Sequence, residues 1–210
     1  PKKTRNNVSI VLYEKFEKLE LFGPDETRRN VSEMYLIKKK KKTGPILSAQ
    51  GVATVATHAF GDVSAVDILM IPGGRGTVHQ LSNSSLLDFV RRLHRETELT
   101  TSVCTGSAIL AKAGILDGRR ATSNKTFFAL AESQSDQVTW VRHARWVEDG
   151  KLFTSAGVSA GTDMALAVVA RLFGQVRAEV LARQLEYHWH PDSQFDPFSE
   201  PIVETANQTD

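Results

Sequence analysis

The chain has 210 residues, 41% hydrophobic and 24% charged, with a formal net charge of +2, which suits one domain, residues 1–210, around one core. Its basic residues are interleaved with acids instead of striped with aromatics, which argues against nucleic-acid binding. A single cysteine excludes an internal disulfide and a cysteine-based zinc site, so a reducing, cytoplasmic setting is the expectation, and neither metal nor cofactor is expected beside it.

VSIVL (8–12) is the first apolar run. It is too short for a signal-peptide core, no stretch approaches membrane-spanning length, and its β-branched character predicts a buried strand. MYLI (34–37) predicts a second strand and ends in five lysines, Lys38 to Lys42. Such a run serves as a nuclear signal or an anionic-partner patch in some chains, but a solvated loop or edge-strand protection is the plainer reading. DILMIPGG (67–74) repeats the buried-strand pattern before Pro-Gly-Gly. In LSNSSLLDFVRRLHRE, Leu86, Leu87, Phe89, Val90 and Leu93 share a helical face, with N-cap candidates at Ser82 to Ser85.

ELTTSV (98–103) predicts the next strand and GSAILAKAG the helix after it, stopping at Gly114. QVTWVRHARWVEDGKLFTS predicts short strands with a turn at Glu148-Asp149-Gly150. AGTDMALAVVARLFG predicts a buried helix ending at Gly174, and VRAEVLARQLEY an amphipathic one. The tail, about 189–210, is proline-punctuated and irregular. Strands alternating with helices give an α/β fold, a mainly parallel sheet sandwiched by helices, with its site at the carboxyl ends of the strands.

Two strand-to-helix turns compete for a nucleophile. Gly157-Val158-Ser159-Ala160-Gly161 fits the G-x-S-x-G pattern of hydrolases. Ser159 then needs a base oriented by an acid, and downstream it finds only Asp163, four residues on, with His188 and His190. The small flanking residues are equally explained by a buried helix approaching the sheet, which leaves Ser159 as a pocket-lining or capping residue. Cys104, in SVCTGS, needs less help, because a helix N-terminus lowers a thiol pKa from its ordinary ~8.5 and the thiolate is itself nucleophilic. A buried structural cysteine is the bland alternative.

Two further features favour a reactive Cys104. After IPGG, the Gly73 and Gly74 N–H groups, with that of Thr105, suit binding of developing negative charge. In KLELFGPDE, Glu20 lies between Leu19, Leu21 and Phe22, a setting that predicts desolvation and a protonated acid.

Taken together, LELFGP, DILMIPGGRG, SVCTGSAILAKAGILDGRRAT and SAGVSAGTDMALAVV resemble the ThiJ/PfpI superfamily, over about residues 8 to 190. The resemblance implies a flavodoxin-like, class I glutamine amidotransferase-like fold, a homodimer, Cys104 as nucleophile and the acid before FGP, here Glu20, as its partner. SVCTGS and LELFGP look most like the isonitrile hydratase branch and the related ligand-binding domains of some regulators. Thr105 replaces the histidine of the PfpI-type peptidases, which argues against a Cys-His peptidase. Glu20 stands where the hydratases usually have aspartate. Ser123-Asn124-Lys125 stands where they tend to carry a histidine-containing segment.

The implied activity is a small-molecule hydration by cysteine, isonitrile to N-substituted formamide. The alternatives are glyoxalase III-like conversion of an α-oxoaldehyde, with His79, His188 or His190 as base, and a non-catalytic ligand or redox sensor built on Cys104.

Overall fold

The computed structural model describes residues 6–28, 32–39 and 45–200. Seven strands form the main sheet: β1 (Asn6–Val11), β2 (Ser32–Lys38), β3 (His58–Ala59), β4 (Ile68–Ile71), β5 (Leu99–Val103), β6 (Trp146–Asp149) and β7 (Leu152–Ser155). Their order is β6-β7-β5-β4-β1-β2-β3. Every neighbouring pair is parallel except the β6–β7 hairpin, which turns at Gly150 with φ of +64°.

The central strands are buried on both faces, as a parallel sheet between helices requires. All of Ile68–Ile71 is buried, as are Val8, Ile10 and Val11. On one or other face lie α1 (Lys18–Arg28), α2 (Ser84–Glu96), α3 (Gly106–Lys112), α4 (Ala160–Phe173) and α5 (Gln175–Gln184). Helix α2 buries Leu86, Leu87, Phe89, Val90 and Leu93, and Asn83 caps it through Leu86 N–H. Helix α4 comes so near β5 that a methyl at Gly161 would lie 2.8 Å from Val103 Cγ1.

Helix α1 is not announced by the sequence pattern, because Gly23-Pro24 lies inside it and such a pair marks a break. The helix persists through packing. Gly23 faces α4 with room for no side chain, its Cβ position being 2.6 Å from Thr162 Oγ1.

Register places the site. Ile71 pairs with Ser102 and Ser155 with Val103, so β4, β5 and β7 end side by side. The residues that follow, Pro72-Gly73, Cys104 and Ala156, therefore emerge together at the carboxyl edge.

Lys38 closes β2, while positions 40 to 42 of the lysine run lie outside the described residues. Beyond α5 the described chain forms no further helix or strand, yet it is anchored. Asp196 is buried and forms ion pairs with Lys125 (3.7 Å) and Arg145 (3.5 Å). Among the described residues no helix is long and apolar enough to cross a membrane.

Candidate active site at the carboxyl edge of the sheet

Cys104 follows β5 with φ of +57°, a left-handed conformation that costs a non-glycine residue about 1–2 kcal/mol. The surroundings hold it there. Its N–H donates to Ser155 O (3.1 Å) and Ala156 O (3.2 Å), and its carbonyl accepts from Ser107 Oγ (3.1 Å) and Ser123 Oγ (3.2 Å). Gly106 makes the turn possible, since a Cβ there would sit 2.3 Å from Ile71 O.

Glu20, in the first turn of α1, is fully buried. Its sequence neighbours are not the cause. Leu19 and Phe22 are exposed and only Leu21 is buried, because successive helical residues point about 100° apart. What buries Glu20 is insertion between the strand ends, where its Oε2 accepts the Gly73 N–H at 2.5 Å. Burial raises its pKa to about 8, against the opposing pull of hydrogen bonds from Cys104 and Gly73. At neutral pH Glu20 is thus a neutral acid. Oε2 takes the Gly73 N–H, while Oε1 is buried with no fixed partner.

The expectation that the helix N-terminus would lower the thiol pKa is overturned in direction. Burial, then the Glu20 carboxylate, pushes Cys104 well above its ordinary value, while the Thr105 N–H and Asn124 pull the other way. The thiol and the acid form one buried pair that titrates together. When Glu20 carries the proton its charge is gone, and it becomes a donor in place of an acceptor, which favours thiolate.

Of the candidate charge-binding groups, Gly73 N–H is taken by Glu20 and Gly74 N–H donates to Thr105 Oγ1 (3.1 Å). Neither is left open to a substrate anion, because both are spent aligning acid and elbow. Gly74 has φ of +121° and no space for a Cβ, which would lie 2.5 Å from Glu17 N. Thr105 Oγ1 continues a buried chain to Thr77 Oγ1 (2.9 Å), then to Tyr13 OH (3.1 Å), which donates to Pro72 O (2.5 Å).

Ser159 stands exposed before α4 and its side chain does not cap the helix. The positive φ of that turn falls on Val158, at +35°. Asp163 does not orient a base for Ser159: it is buried, its Oδ2 bound by Arg145 (2.6 and 2.8 Å). Its Oδ1 accepts from Tyr187 OH (3.1 Å) and from the backbone N–H of His190, not its ring (2.9 Å). His79 and His188 are exposed. No serine triad forms.

Asn124 is the residue that sequence reasoning missed as part of the site: its Nδ2 lies 3.1 Å from Cys104 Sγ. The one available signal was SNK standing where related chains tend to carry histidine. Thr77 and Tyr13 gave no local signal, since only the register of β1, β4 and β5 brings them to the elbow. Among the described residues no group of three or more His, Cys, Asp or Glu side chains is placed to hold a metal.

The chain has relatives among known proteins. The model of the DJ-1/PfpI family matches residues 6–171. The chain is 31% identical to the isonitrile hydratase of Pseudomonas putida over 95% of its own length and 84% of that protein's. Among solved structures it is similar to a ThiJ/PfpI family protein from Pseudomonas syringae, at a TM-score of 0.77 and 32% identity, over 89% of this chain and 77% of that one. It also superposes on Drosophila melanogaster DJ-1beta with a TM-score of 0.78 over 88% of this chain and all of the other, at 21% identity, a likeness of fold.

Proposed function

The chain belongs to the DJ-1/PfpI family, and we propose that within it this protein is a cysteine enzyme that hydrates an isonitrile to the N-substituted formamide. The observation that carries this reading is the pairing of a strained elbow thiol with a buried carboxylic acid whose pKa is about 8. Similarity to the Pseudomonas putida isonitrile hydratase supports the substrate class.

The chemistry is balanced by water alone. Cys104 thiolate attacks the terminal isonitrile carbon, forming the C–S bond, and Glu20 gives its carboxyl proton to that carbon, which yields a thioimidate. Water adds to the C=N carbon, with Glu20 carboxylate accepting one of its protons and the nitrogen gaining one. Collapse then breaks the C–S bond, returns the electron pair to sulfur and releases the formamide. Gly73 and Gly74 hold the acid and the elbow in register, and Thr105 supplies its N–H to the sulfur.

The same reading includes a homodimer. Leu19 and Phe22, exposed on the helix that carries Glu20, are apolar surface that a second copy would cover, and sedimentation measures it directly.

The test is a panel of isonitriles and α-oxoaldehydes given to the purified wild type and Cys104→Ala. Formamide production that vanishes in Cys104→Ala supports the proposal. It is overturned if the wild type hydrates no isonitrile, or if Cys104→Ala remains fully active. Turnover of α-oxoaldehydes alone would replace it with the glyoxalase III-like reaction.

A further inference from the structure

The Asn124 amide is fixed at both ends. Its Oδ1 accepts the Phe127 N–H at 2.9 Å, so the end that faces Cys104 Sγ is the NH2 group. Turning the amide over would set NH2 against N–H and an oxygen lone pair against sulfur. The Phe127 backbone thus decides an orientation that shape alone leaves open.

Space for the amide is made by a missing side chain. A Cβ on Gly157 would lie 2.4 Å from Asn124 Nδ2, so the glycine of the second elbow is there for the first. The turn is also tied to the cysteine twice over, because Ser123 holds the Cys104 carbonyl while Asn124 holds its sulfur. Behind it, Lys125 is clamped by Thr122 Oγ1 (3.0 Å), Ala144 O (2.5 Å) and Asp196.

The ionisable group that acts on the thiol from the packed elements is Glu20 on α1, and Tyr13, just beyond β1, feels the thiol's charge while burial raises its own ionisation. Asn124 differs from both, since it neither gains nor loses a proton at any working pH. We propose that Asn124 is a catalytic residue whose amide N–H holds the Cys104 sulfur anion in position and stabilises it both as it attacks and as it departs.

The role rests on the reading of Cys104 as the nucleophile. In the attacking state the N–H···S contact favours thiolate over thiol. In the collapse step the electron pair of the breaking C–S bond returns to sulfur, and the amide N–H is already aimed at it. A histidine at this place would change charge over the physiological range. The amide keeps its donor constant, so the only proton that moves beside the sulfur is that of Glu20.

Because the chain has one cysteine, iodoacetamide alkylation reports Cys104 alone and needs no substrate. The pH dependence of alkylation is measured for the wild type, Asn124→Ala and the isosteric Asn124→Asp, whose carboxylate keeps an oxygen for Phe127 N–H. Native folding of each is checked by circular dichroism. Asn124→Ala is expected to raise the apparent thiol pKa by about one unit, which lowers alkylation near neutral pH about tenfold. Asn124→Asp raises it further, since a negative charge replaces the donor. Gly157→Ala, which displaces the amide without altering residue 124, moves it in the same direction.

If the folded Asn124 variants alkylate with the wild-type pH profile, the proposal is overturned. If the profiles shift while the wild type hydrates no isonitrile, the role of Asn124 stands and the assigned reaction falls.

Discussion

Gly161 lies against Val103 so closely that one methyl group would bring them within 2.8 Å. Val103 is β-branched and stiff, and the next residue is Cys104. Gly161→Ala therefore pushes either α4 or the elbow out of place. The expected cost is about 1–3 kcal/mol, seen as a lower urea midpoint, together with slower Cys104 alkylation. Gly61→Ala, where nothing lies within 4 Å, serves as the control and changes stability by less than about 0.5 kcal/mol.

Glu20 makes stability depend on pH. Its folded pKa of about 8 lies above the ordinary value of 4.5, so between those limits the native state holds a proton that the unfolded chain has released. Stability is then full below pH 4.5 and falls as pH rises toward 8, by at most about 1.4 kcal/mol per unit. Glu20→Gln keeps an oxygen for Gly73 N–H and removes the titration. Urea unfolding at pH 5 and pH 7.5 should show a falling contribution in the wild type that the variant lacks, along with loss of proton delivery in turnover.

His94 acts with the opposite sign. Burial, with Lys151 and Arg119 nearby, lowers its pKa from 6.5 to about 4, and its Nδ1 is paired with Thr100 Oγ1 at 2.8 Å. Between pH 6.5 and 4 the unfolded chain binds a proton that the native state refuses, so this contribution is lost as the solution is acidified. Glu20→Gln should expose that rising limb between pH 5 and 6.5. Adding His94→Gln should flatten it.

Arg145→Met leaves Asp163 buried without its cation. Tyr187 OH and the His190 N–H remain as donors, but neither carries charge. Removing one partner of such a pair costs about 3–5 kcal/mol, measurable in urea. The double variant Arg145→Met, Asp163→Leu should recover part of the loss, because no buried charge is then left unpaired at Asp163.

The central strands were legible in part because VSIVL and ILMIPGG are apolar runs, the second ended by Pro-Gly-Gly, whereas the edge strand His58–Ala59 is too short to leave a pattern. The order of those strands was not legible, since it depends on crossovers that no local pattern encodes. Helix α1 was hidden because Gly23-Pro24 signals a break locally, whereas contact with Thr162 decides the matter. Cys104 and Glu20 could be singled out from local company, but the reason for burial of Glu20 lay in Gly73 and the strand ends, not in its flanking residues. Gly73 and Gly74 suggested free N–H donors, and only the structure shows their acceptors. Asn124 sits 20 residues from Cys104 in sequence, and polar SNK offers no pattern that separates a surface turn from a sulfur contact.

The ion pairs of Asp196 set where an autonomous unit of this chain can stop. The family match ends at residue 171 and the last helix at Gln184. A fragment cut at either point would strip Lys125 and Arg145 of Asp196, and Asp163 of Tyr187 and the His190 N–H. The smallest piece worth expressing therefore extends through residue 196, with any tag or fusion joined beyond it.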